Sequence, residues 1–265
     1  MLRREALFAS VAILVILLMT LLYFPSSISS ARSAPVMPAT PLSPLPTGEV
    51  PSILREELAA HDAISVMPLG DSITAGVGSS GKGGYREKLW EKIKEDGWNM
   101  LFVGSELNGP STMADRHNEG HPGWRIDQIS NKVESWLQAE HPQIILLHIG
   151  TNDIIQGGSP TLAATRLTRL LNQITATDPT ALVLVAQIIP LGNPALNQNV
   201  IAYNRMIPDI VRSMDNIGKH ITAVDMYDVV PVKDLRDHIH PDNVRYALMA
   251  NVWYQALLSA FGVAK

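Results

Sequence analysis

Beyond residue 52 the chain alternates short apolar runs with amphipathic stretches, and few architectures accept that rhythm. Ile64–Leu69, Met100–Gly104, Ile144–Ile149, Leu182–Ile189 and Ile221–Asp225 are mainly apolar and read as short strands buried on both faces. Between them Tyr85–Glu95, Ile126–Glu140, Leu162–Thr175, Asn197–Asn216 and Asn243–Phe261 carry helical spacing. In the second of these, Ile126, Ile129, Val133, Trp136 and Leu137 make one apolar stripe. This order predicts an α/β fold: a mostly parallel, five-stranded sheet covered by helices on both faces, in one domain over residues 53–265.

The first 52 residues do not belong to that pattern. Arg3 and Arg4 precede an unbroken apolar stretch from Ala6 to Phe24, long enough as an N-terminal apolar helix to cross the ~30 Å hydrocarbon layer of a bilayer. Residues 1–24 therefore read as a signal anchor, or as a signal peptide cleaved after Ser29-Ser30-Ala31. Either way the rest of the chain is expected outside the cytoplasm, anchored through the N-terminus if that helix is retained. Residues 25–52, with seven prolines, many small residues and almost no charge, read as a semi-rigid tether.

Charge and cysteine content exclude several function classes. From residue 53 onward there are 18 basic and 23 acidic side chains, and no basic stripe of the kind phosphate binding needs, so nucleic acid is not expected as a partner. The absence of cysteine excludes disulfides, thiolate metal sites and a cysteine nucleophile. A metal site would have to be built from histidine and carboxylate alone.

In open parallel sheets, ligands bind beyond the carboxyl ends of the strands. Three polar clusters follow the apolar runs there: Gly70-Asp71-Ser72-Ile73-Thr74, Gly150-Thr151-Asn152-Asp153 and Asp237-His238-Ile239-His240-Pro241. A long loop between the second run and the next helix carries Glu119-Gly120-His121-Pro122-Gly123-Trp124. Together they hold the parts for acyl transfer. A serine hydroxyl needs a neighbouring base, histidine suits that role, and a carboxylate must steady the imidazolium. Ser72, His240 and Asp237 match these roles. The Ser72 and Gly123 backbone N–H groups and the Asn152 amide can supply an oxyanion hole.

These segments resemble the SGNH (GDSL) hydrolases. Met67-Pro-Leu-Gly-Asp-Ser-Ile-Thr74 is similar to the first block of that family, Gly123 to the second, Gly150-Thr-Asn-Asp153 to the third, and Asp237-x-x-His240-Pro241 to the last, in the family's order. The resemblance spans about residues 64–258. It implies a flavodoxin-like three-layer α/β/α sandwich hydrolysing esters or thioesters without metal or cofactor, with Ser72 as nucleophile, His240 as base, Asp237 orienting it, and Ser72, Gly123 and Asn152 lining the oxyanion hole. A narrower likeness, to carbohydrate esterase family 3, lies in Gly84-Tyr-Arg86, Leu89-Trp90, Phe102-Val-Gly-Ser105, Glu119–Trp124 and Tyr203-Asn204. That branch implies an O-acetylated carbohydrate as substrate. His238, where a glycine is usual, and Arg245 depart from the pattern. The first leaves open which histidine faces Ser72, with spacing in favour of His240.

Other readings of the same residues compete. Gly76–Gly81 fits G-x-G-x-x-G, and Gly76–Lys82 fits most of a P-loop but lacks its hydroxyl at Gly83; a mobile loop beside the site is the plainer expectation. His117 and His121 read as solvated loop histidines, or one lines the cleft. His148 reads as a satisfied core histidine, and Asp71 and Asp153 as shapers of their turns. Trp90, Trp136 and Trp253 read as core. Trp124 is either a platform for sugar or packing beneath its loop. At the level of function, a lysophospholipase or thioesterase, a non-catalytic glycan-binding module and a nucleotide-binding protein stand as alternatives.

Overall fold

The computed structural model describes residues 50–60 and 62–263. The anchor or signal helix over 1–24 and nearly all of the tether over 25–52 lie outside these. Among the described residues no helix is long and apolar enough to cross a membrane.

The elements run α1 (Ser52–Ala60), β1 (Ile64–Gly70), α2 (Ser72–Ala75), α3 (Tyr85–Glu95), β2 (Met100–Phe102), β3 (Glu106–Leu107) and β4 (His117–Gly120). Then come α4 (Ile126–Ser130), α5 (Val133–Glu140), β5 (Ile144–His148), α6 (Thr151–Ile155), α7 (Pro160–Thr177), β6 (Leu182–Ala186), α8 (Pro194–Asp215), β7 (Ile221–Val224) and α9 (Asn243–Phe261). The sheet has the order β3-β4-β1-β5-β6-β7, with β2 also paired to β1. Every pairing is parallel except β3 with β4.

The sheet is thus mixed and seven-stranded rather than five-stranded. The difference arises beside β1, where one strand position is filled by two segments. β2 pairs with Ile64–Val66, and β4 pairs with Leu69-Gly70. Since β4 is His-Asn-Glu-Gly, it carries no apolar signal, and its buried Asn118 and Glu119 are held by hydrogen bonds instead. The 126–140 stretch is also two helices, because Lys132 leaves helical geometry (φ −124°). α1 begins within the segment assigned to the tether.

Two apolar cores flank the sheet. One packs β1, β5 and β6 against α1, α3 and α9, with Trp253 and Tyr246 fully buried. The other packs the opposite face against α4, α5, α7 and α8. Trp90 and Trp136 only half join these cores.

The ends of β5 and β6 are clamped to α8, which fixes the rim beyond them. Pro208 lies inside α8 and has no N–H for the Asn204 carbonyl. That carbonyl accepts from the Gln187 amide instead, at 3.3 Å. The Asn204 side chain accepts from Ile188 N (2.9 Å) and donates to Ile188 O (2.8 Å), while Tyr203 Oη donates to Ile149 O. A sequence that would otherwise interrupt a helix here satisfies its freed backbone group.

Candidate active site

Ser72 opens α2 immediately beyond β1. Asp71 caps that helix, its Oδ1 accepting the Ile73 N–H at 2.9 Å. Burial pushes the Asp71 carboxyl up to about 7, against the pull of the Ile73 N–H. Asp71 thus shapes its own turn, whereas the Asp153 side chain ties its turn to the start of α4 and to α7. Asp153 Oδ2 accepts Ile126 N (2.9 Å), and Oδ1 accepts Arg166 Nη1 (2.7 Å). Burial raises its pKa in spite of these bonds.

The third polar cluster folds back over Ser72. Asp237 Oδ1 accepts the Ile239 and His240 N–H groups at 3.1 and 2.7 Å, so three residues close a turn that lays the imidazole over the carboxylate. His240 Nδ1 lies 2.6 Å from Asp237 Oδ2, and Nε2 lies 2.8 Å from Ser72 Oγ. A carboxylate can only accept, so Nδ1 carries the proton and Nε2 is left to accept from the serine hydroxyl. Burial raises the Asp237 pKa, but the bonds from the His240 side chain and backbone outweigh it and hold the carboxyl below its ordinary value. Asp237 stays 55% exposed, so the ion pair is partly screened.

His238 does not compete for Ser72. It sits in the left-handed region (φ +67°), exposed, with its carbonyl accepting Gly192 N–H at 2.7 Å. This is the backbone conformation for which glycine is the ordinary choice.

The Gly123 loop and the Asn152 turn are tied together. Trp124 N donates to His121 O at 3.1 Å across Pro122-Gly123. With Gly123 at φ +82°, proline and glycine occupy the places a type II turn demands. A Cβ on Gly123 would meet nothing within 4 Å, so the left-handed φ and not crowding calls for glycine. Asn152 Nδ2 donates to Trp124 O (3.0 Å), and Gln156 Nε2 donates to Gly123 O (3.0 Å). One Asn152 amide hydrogen is thereby fixed in direction, and a second remains.

Several expectations change here. The Gly76–Lys82 loop is tied to two later segments: Tyr246 Oη donates to Val77 O (2.7 Å) and Arg236 Nη1 to Gly78 O (2.9 Å). Its Gly76, Val77, Ser79, Ser80 and Lys82 N–H groups bond to acceptors within the protein, so these five are not free to cradle a phosphate. His117 is exposed, but His121 is nearly buried. His148 is fully buried with both ring nitrogens unpartnered among the described residues, so it is a core histidine but not a satisfied one. Burial lowers it to about 4. Trp124 is half-buried and stacked on His121, so packing within its loop describes part of what it does. Sequence reasoning named Arg86 within a likeness but gave it no role; it is fully buried and donates to the Thr74 and Ala75 carbonyls at the end of α2 and to Asn108 Oδ1. Among the described residues no cluster of three or more histidines or carboxylates could hold a metal.

Residues 69–248 match the profile of the GDSL-like Lipase/Acylhydrolase family. Among solved structures, a family 3 carbohydrate esterase of Clostridium thermocellum is 32% identical with a TM-score of 0.69, over 76% of this chain and 98% of that one. An acetyl esterase variant, solved with an acetate ion, is 26% identical with a TM-score of 0.66, over 75% of this chain and 98% of that one. A multidomain esterase of Ruminococcus flavefaciens is 30% identical over 230 residues, which are 75% of this chain. The match spans only 29% of that relative's length.

Proposed function

The chain belongs to the GDSL-like lipase/acylhydrolase family, and from that premise we propose that it is a serine esterase removing acetyl groups from carbohydrates. The continuous Asp237–His240–Ser72 hydrogen-bond relay carries this reading. Ser72 Oγ attacks the acyl carbonyl while His240 Nε2 takes its proton. The tetrahedral adduct collapses, the carbon–oxygen bond to the alcohol breaks, and His240 returns the proton to the departing oxygen. Water then repeats the cycle on the acyl-serine and releases acetate. The Ser72 and Gly123 N–H groups and the free Asn152 amide hydrogen meet the charge that develops on the carbonyl oxygen, a contribution of about 3 kcal/mol per donor in comparable sites. Trp124, beside Gly123, is the platform for the sugar.

Similarity to a family 3 carbohydrate esterase and to an acetyl esterase supports the acetyl and carbohydrate parts. An exported position fits a polymeric glycan as substrate. It is supported by the apolar Ala6–Phe24 run behind Arg3 and Arg4.

The test is acetate release from acetylated xylan together with aryl esters of increasing acyl length, comparing wild type with Ser72→Ala. Expected are turnover that declines beyond acetyl and propionyl, and loss of at least about a thousandfold in Ser72→Ala. Preference for long acyl chains would assign a lysophospholipase or thioesterase instead, and wild-type turnover in Ser72→Ala would remove the nucleophile.

A further inference from the structure

The turn that carries Gly123 is anchored from beneath by a buried acid–imidazole pair to which the reaction assigns nothing. Glu119, the third residue of β4, is fully buried. Its Oε1 accepts Ser105 N–H at 2.5 Å, and its Oε2 accepts from Ser105 Oγ at 3.1 Å and from His121 Nε2 at 2.8 Å. A buried carboxylate without donors would be severely unfavourable, and these three compensate it. His121 Nδ1, also on the edge of the ring, lies 3.9 Å from Glu106 Oε1.

His121 is the first residue of the turn. Its N–H donates to Gly70 O, two residues before Ser72, and its carbonyl accepts from Trp124 N. Its ring stacks on Trp124 (4.4 Å, 22°) and Trp136 (4.7 Å, 6°). The far end of the same turn, Trp124 O, accepts from Asn152 Nδ2. A continuous path of hydrogen bonds and ring contact therefore runs from the buried carboxylate to both groups read as oxyanion donors.

We infer that Glu119 and His121 are positioning residues, fixing the 121–124 turn so that the Gly123 N–H and the Asn152 amide hold their places while charge develops on the carbonyl oxygen. This rests on the reading of Gly123 and Asn152 given above. A pair that merely held β4 in the sheet would affect thermal stability and leave turnover alone.

His121→Phe keeps ring area for both tryptophans and removes the bond to Glu119, whereas His121→Gln keeps a donor near the reach of Nε2. With 4-nitrophenyl acetate, His121→Phe should lower kcat about tenfold with KM within about twofold, a loss of the size that small misplacement produces. His121→Gln should recover part of it. Asn152→Ala should lose about a hundredfold, and adding His121→Phe to it should cost little more, because both act on one group of donors. Should His121→Phe fail to fold, Glu119→Gln is read by the same criteria. Wild-type kcat in a folded His121→Phe, or fully multiplicative losses in the double variant, would overturn the inference alone. Wild-type kcat in Asn152→Ala would overturn the oxyanion reading, and the inference with it.

Discussion

Gly78 shows how little space separates His240 from failure. Its φ is +93°, and a Cβ there would lie 2.6 Å from Pro241 O and 2.9 Å from His240 Cβ. Gly78→Ala must therefore strain its own backbone and displace the imidazole that meets Ser72 at 2.8 Å. The expected outcome is a drop in kcat of about a hundredfold, since a displacement near 1 Å suffices for that. Steady-state kinetics on an aryl acetate check it, with circular dichroism showing a folded domain. At this scale Ser72, Gly123, Asn152 and His240 were legible because each sits in a short pattern of particular residues. Glu119 was given no role of its own and His121 was read as a loop histidine, since nothing in a polar tetrapeptide announces that its carboxylate will be buried and will hold that ring. His238 left two histidines open until its left-handed φ and exposed position set it apart from His240.

At the scale of elements, helix ends decide where the site residues stand. Asp242 caps α9, its side chain accepting Arg245 N–H at 2.9 Å, and it follows His240 by only two residues. Asp242→Ala should lower stability by about 1 kcal/mol, measured by denaturant unfolding. The same variant also removes one of the two carboxylates paired with Arg245, which meets Asp242 Oδ2 at 3.3 Å and Asp234 Oδ2 at 2.7 Å. Helical periodicity located Tyr85–Glu95 and Asn243–Phe261 to the residue, since both have long apolar faces on one core. It joined α4 to α5, whose stripe runs on in register across a break that only backbone angles record. It found no sign of β3 or β4, because a two-residue and a four-residue strand are shorter than any period that could be counted.

For the whole molecule the sheet is a partition between two apolar cores, and His148 is buried within it without a hydrogen-bonding partner among the described residues. Its imidazole titrates near 4 when folded and near 6.5 when unfolded. Below pH 6.5 the unfolded chain therefore takes up a proton that the folded chain refuses. The resulting stability is present above that pH and is lost as pH falls toward 4, by about 3 kcal/mol over the interval. Denaturant unfolding at pH 7 and pH 4 should show that loss in wild type relative to His148→Leu. The order of apolar runs and amphipathic stretches was enough to set the α/β class and the segments that end on the rim. Those are consequences of burial and period, which neighbouring residues encode. Which strand lies beside which, and that an imidazole 168 positions away reaches Ser72, came only with the folded chain. Contacts between distant segments depend on how the sheet is ordered and packed, and no local pattern carries that information.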